Sequence, residues 1–110
     1  MNCGLTEAVI QKIRAVLTRY PQVDQAILYG SRATGLYRHG SDIDLTLLGG
    51  DDLTLSVLSR IMDDLDKLLL PYTFDLSIFH HLADAELIGQ IRRLGVTFYD
   101  RVLSEVAKGS

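Results

Sequence analysis

Residues 26–48 read AILYGSRATGLYRHGSDIDLTLL, and two apolar runs within that stretch decide the fold. The first, Ala26-Ile27-Leu28-Tyr29, stops at Gly30. So short and apolar a run, begun at Gln25, predicts a buried strand over Gln25–Tyr29. The second run alternates. Asp42, Asp44 and Thr46 fall on one face, while Ile43, Leu45 and Leu47 fall on the other. That is a strand over Asp42–Leu48 with one polar and one apolar side. Between the two, Ser31–Gly40 mixes glycine, arginine and small residues, with room for a short helix just after Ser31. The connection from Gly30 to Ser41 is short for a right-handed crossover, so a mixed sheet is favoured over a parallel one.

Outward from this centre the pattern switches to helical spacing. Val9, Ile10, Ile13, Val16, Leu17 and Tyr20 predict an amphipathic helix over Thr6–Tyr20, with Thr6 as N-cap and Pro21 at its end. On the other side, Gly49-Gly50-Asp51-Asp52 is a turn. Asp52 or Thr54 then caps a helix over Leu53–Leu69. Its apolar face is Val57, Leu58, Ile61, Met62, Leu65, Leu68 and Leu69, and Pro71 ends it. Thr73–Phe79 alternates as a third strand, with Asp75 facing opposite to Phe74 and Leu76. A third long helix covers Leu82–Leu94, with Leu87, Ile88, Ile91 and Leu94 inward and Gly95 as its C′ residue. Val96–Tyr99 is a short extended piece, and a helical turn or two can follow Asp100. The expected class is α/β (α+β): a small mixed sheet packed against helices, with residues 1–110 as one domain.

The composition narrows the function. Of 110 residues, 47% are apolar, enough for a core without staples. A net charge of −3 argues against a general nucleic-acid binder, which carries a basic excess. It leaves room for a nucleotide site in which metal ions supply positive charge. The lone Cys3 makes no internal disulfide and belongs to no metal-ligand spacing, which points to a reduced, cytoplasmic protein. So near a terminus, Cys3 is expected to be loosely held. No secretory signal and no membrane-spanning run are evident.

The chemistry gathers at three points. Asp42 and Asp44, two apart on a strand, point the same way with Cα atoms about 6.5 Å apart, and can converge on one hard cation. Asp75 repeats the arrangement on another strand, where an acid among apolar neighbours is unusual. If the two strands are adjacent, three carboxylates share a face and repel unless metal compensates them. That implies Mg²⁺, two ions in the two-metal manner. Gly30 lets backbone approach a phosphate closely, Ser31 adds a hydroxyl, and Arg32 offers charge to a triphosphate. Arg32 could equally pair with a carboxylate. His80 and His81 read as surface or helix-start residues, and Asp63, Asp64 and Asp66 as the solvated face of a helix.

Gly30-Ser31, ten residues, then Asp42-Ile43-Asp44 resembles the signature of the minimal nucleotidyltransferases (MNT) of the DNA polymerase β superfamily. Arg32-Ala33 with Gly35, and Ser41 ahead of Asp42, resemble that motif's extensions. Asp75 stands where the family places its third carboxylate. The resemblance implies attack of an acceptor hydroxyl on the α-phosphate of ATP, with release of pyrophosphate. Asp42 and Asp44 would hold both metals, Asp75 would join one and help deprotonate the acceptor, and Gly30 and Ser31 would hold the β and γ phosphates. Short MNT proteins accompany HEPN-domain partners as toxin–antitoxin pairs, the MNT member transferring AMP to a tyrosine of the HEPN ribonuclease. The chain's brevity suggests that its acceptor lies on another protein, in a homo- or hetero-oligomer. A non-catalytic antitoxin that works by binding, and a small-molecule nucleotidyltransferase with a separate substrate subunit, are the alternatives. Neither membrane nor direct nucleic-acid contact is expected.

Overall fold

The computed structural model of the protein describes residues 2–109. Helix α1 (Glu7–Thr18) is capped as expected, the Thr6 hydroxyl accepting from Val9 N–H at 3.2 Å. It buries Ile10, Ile13, Val16 and Leu17. Strand β1 (Val23–Tyr29) follows, then a single turn α2 (Ser31–Thr34), strand β2 (Ile43–Gly49) and helix α3 (Leu55–Asp66). Thr54, the second of the two expected candidates, caps α3 through Val57 N–H. Strand β3 (Phe74–Ile78) runs into a 3₁₀ turn at Phe79–His81. Helix α4 (Ala85–Leu94), strand β4 (Val96–Asp100) and helix α5 (Arg101–Gly109) complete the chain.

The sheet is mixed, in the order β3-β2-β1-β4. β1 is antiparallel to both of its neighbours, while β2 and β3 are parallel and joined through α3. Ile43, Leu45 and Leu47 of β2, Ala26 and Leu28 of β1, and Leu76 and Ile78 of β3 enter one core with the buried faces of α1 and α3. Tyr20 and Asp64 tie α1 to α3 by a hydroxyl–carboxylate hydrogen bond, and Arg19 and Lys67 flank the same carboxylate. Asp64 is therefore a clasp rather than part of a plain solvated face.

Several expectations need correction. Helix α3 ends at Asp66, before the apolar run Leu68-Leu69-Leu70. Leu69 takes φ 54, a left-handed conformation rare for a bulky residue. That kink turns Leu68 and Leu70 towards the core and leaves Leu69 88% exposed. Met62 and Leu94, expected inward, are also exposed. Gly95 is not left-handed, with φ −67 and ψ 149. Its glycine is required because a Cβ there would strike the Ile91 carbonyl and stand 2.6 Å from Ile27 Cγ2. Cys3 is buried in the core rather than loosely held. In β4 the pairing shifts by one residue between Thr97 and Tyr99, so Phe98 is a bulge. The bulge explains how Phe98 and Tyr99 are both buried although adjacent. No helix among the described residues is long and apolar enough to cross a membrane.

Candidate active site

Strand β1 delivers the chain to Gly30, which adopts φ 74 and ψ −155, a combination essentially confined to glycine. A Cβ there would collide with Asp44 Oδ2 and lie 3.3 Å from its Cγ. Glycine is thus needed twice: for the backbone angle, and so that the turn can lie directly on the carboxylate. Ser31 opens α2 immediately afterwards, where the first N–H groups have no intrahelical acceptor.

Asp44 stands in register with Tyr29 on β1 and with Asp75 on β3. Strands that neighbour in a sheet lie about 4.8 Å apart, so this pairing brings two carboxylates side by side. Asp42 precedes β2 by one residue and is exposed. Asp44 is half-buried, and its carboxyl is held above the usual carboxylate range. Burial is the main cause, followed by the charges of Asp75 and Asp42, with Arg32 opposing. Negative charge is therefore concentrated where the Gly30 turn touches the sheet.

The donors are all oxygens, which suits a hard divalent cation. Among the described residues, no three ligating side chains close into a ready-made metal cage. Mg²⁺ usually takes one or two carboxylates and completes its shell with phosphate and water oxygens. An open set of carboxylates beside a glycine turn fits an ion that arrives with a triphosphate.

Sequence reasoning missed the floor of the site. Thr46 is on the polar face of β2 yet is 0% exposed. Opposite it in register lies Ser77, whose hydroxyl donates to Thr46 Oγ1 at 3.0 Å. Tyr29, opposite Asp44 in register on β1, lies on the same face. Its hydroxyl titrates above the usual tyrosine value because of burial, with nearby Ser77 opposing and the charges of Asp75 and Asp44 adding to the rise. The signal was present in the period-two pattern: Tyr29, Thr46 and Ser77 share the face of Asp44 and Asp75.

Arg32, which the sequence offered either to a triphosphate or to a carboxylate, has its donors turned to backbone carbonyls. It is 2% exposed, and its guanidinium donates to the carbonyls of Cys3 at 3.1 Å and Ser41 at 2.9 and 3.2 Å. Tyr37 and Tyr72 cover it, with ring centroids 5.5 and 5.1 Å from Cζ. Arg38, His39, His80 and His81 are exposed. A cavity of about 560 Å³ lies between α1, β4 and α5 against Arg14, Phe98 and Leu103. None of the three carboxylates lines it, so its size says nothing about the chemistry.

Residues 11–102 match the family model described as polymerase beta, nucleotidyltransferase. Among solved structures, a toxin–antitoxin crystallised with AMP-PNP is similar at 22% identity, over 91% of this chain and 86% of that one, with a TM-score of 0.67. A minimal nucleotidyltransferase is similar at 26% identity, over 87% and 95%, with a TM-score of 0.66. The complex of a tri-AMPylated Shewanella oneidensis HEPN toxin with its MNT antitoxin is similar at 20% identity, over 94% and 79%, with a TM-score of 0.64. No curated protein matches.

Proposed function

Since the chain belongs to the polymerase β nucleotidyltransferase family, we propose that it transfers AMP from ATP to a tyrosine hydroxyl of a HEPN-domain toxin and so acts as an antitoxin. The observation that carries the reading is the in-register pair Asp44 and Asp75 beside a Gly30 turn packed on the Asp44 carboxylate. The tri-AMPylated toxin in a structurally similar complex supports AMP as the group transferred.

In this reading Asp42, Asp44 and Asp75 hold Mg²⁺, two ions when ATP is bound. When bound, the metal would offset phosphate charge and make the acceptor hydroxyl more acidic. Gly30 and Ser31 present backbone N–H groups and a hydroxyl to the β and γ phosphates, which leave as pyrophosphate. Asp75 accepts the proton of the incoming hydroxyl. The hydroxyl floor of Tyr29, Ser77 and Thr46 keeps water from beneath the two paired carboxylates. Catalysis then rests on positioning and charge compensation rather than on a protein nucleophile.

The protein partner has support of its own. Val102, Leu103 and Val106 form an exposed apolar stripe on α5, of the kind that protein contacts cover. That stripe also suits an antitoxin that works by binding alone. The test is incubation with ATP labelled on the α-phosphate, Mg²⁺ and the toxin, with Asp44→Asn alongside. Transfer of label to toxin tyrosine, abolished in the variant, is the expected result. No transfer by folded protein sinks the enzymatic reading. Protection of cells by an Asp42→Ala/Asp44→Ala variant would leave binding as the biological activity.

A further inference from the structure

A guanidinium this deeply buried normally faces a carboxylate. Arg32 has none within ion-pair distance among the described residues. Its partners are instead two backbone carbonyls and two aromatic faces, drawn from three segments of the chain. Two of those segments lead straight into the site. Ser41 immediately precedes Asp42, and Tyr72 comes just before β3 and Asp75. Ser41 receives two of the three hydrogen bonds. Because the peptide unit is planar, fixing the Ser41 carbonyl also fixes the N and Cα of Asp42. The same loop is pinned from its other side, where Ser41 Oγ accepts from Arg38 N–H at 2.7 Å.

We propose that Arg32 is a positioning residue for the metal site: its forked hydrogen bonds to Ser41, clamped between Tyr37 and Tyr72, hold Asp42 at the mouth of the Gly30 turn. The proposal rests on the reading of Asp42, Asp44 and Asp75 as cation ligands. It separates from a purely electrostatic role by sign. If Arg32 acted only as a positive charge near the carboxylates, removing it would tighten cation binding. If it acts as a clamp, removing it frees Asp42 and weakens binding.

The experiment uses the whole chain with Mn²⁺ as probe, titrated by electron paramagnetic resonance in the presence of AMP-PNP. Arg32→Met removes charge and fork together, and Arg32→Lys keeps the charge but loses the fork. Both are expected to bind Mn²⁺ about 10-fold more weakly or worse, the usual effect of removing a group that orients a metal ligand. Deuterium uptake without metal should rise in residues 36–42 and stay unchanged in α3. Wild-type affinity in Arg32→Lys, or equal or tighter binding in Arg32→Met, overturns the proposal. Should the methionine variant fail to fold, the lysine variant and Tyr72→Leu carry the same test. Asp44→Asn must lose Mn²⁺ binding. If it does not, the site reading itself falls and this proposal with it; loss there beside normal binding in both Arg32 variants overturns the proposal alone.

Discussion

Replacing Gly30 by alanine strains the molecule in two separable ways. The backbone at φ 74 and ψ −155 is one that an L-residue holds only at a cost of about 1–3 kcal/mol. The added Cβ also meets Asp44 Oδ2, the end of a short side chain that can rotate away. Driving that carboxylate off its rotamer adds about 0.5–1.5 kcal/mol. The sum is about 1.5–4.5 kcal/mol, a fall in melting temperature of roughly 6 °C or more for a domain near this size. Urea denaturation followed by circular dichroism measures it, and a double-mutant cycle with Asp44→Ala divides it. On the Asp44→Ala background the carboxylate is gone, so the cost of Gly30→Ala should shrink by about 1 kcal/mol to the backbone part alone. AMP transfer by the single variant should drop by about 100-fold, because the displaced carboxylate is a proposed metal ligand. Equal costs on both backgrounds would show that Gly30 and Asp44 do not touch. A negligible cost on either would show that residue 30 does not hold this backbone conformation, and the account of the turn would be wrong.

Asp44 also sets a pH dependence. Its carboxyl is raised by burial first and then by Asp75 and Asp42, so the folded chain binds that proton more tightly than the unfolded chain does. Ionised Asp44 therefore destabilises the metal-free protein at neutral pH, and the penalty fades as pH falls through the raised native value towards the ordinary carboxylate range. Asp44→Asn should be the more stable protein at neutral pH without metal, with the difference vanishing in acid; urea midpoints across pH check this. Asp100→Ala removes the acceptor of Val102 and Leu103 N–H at the start of α5 and should cost about 1 kcal/mol, with the rise in deuterium exchange greatest in α5. Thr46→Val leaves the Ser77 hydroxyl without its buried acceptor and should cost about 1–3 kcal/mol, part of which Ser77→Ala in the same chain restores; chemical denaturation of the three variants decides.

The chemical centre was legible because its signals are local. Gly30-Ser31 after an apolar run, and acids at 42 and 44 with Ile43 between them, need only strand periodicity to be placed on a turn and on one face. The neighbouring hydroxyls obey the same period, but nothing in a single strand says that Thr46 faces Ser77 or that Tyr29 stands opposite Asp44. Pattern reading also ran too far along α3. Leu68 to Leu70 continue the apolar run, so spacing alone extended the helix, whereas a left-handed Leu69 broke it and sent its neighbours to different sides.

The amino-acid sequence by itself determined the elements, the polar face of β2 and the family motif, since each follows from the spacing of residues a few positions apart. Tertiary structure alone decided which strands lie side by side. The register that sets Asp75 beside Asp44 depends on how α3, which joins β2 to β3, packs against the sheet, a contact between segments about 30 residues apart. It also decided the fate of Arg32. A charge next to a glycine turn reads as a phosphate ligand until Tyr72, 40 positions later, folds over it, and the carbonyls of Cys3 and Ser41 take up its donors. Periodicity reports which way a side chain points from its own strand; what it meets there depends on segments remote in the chain.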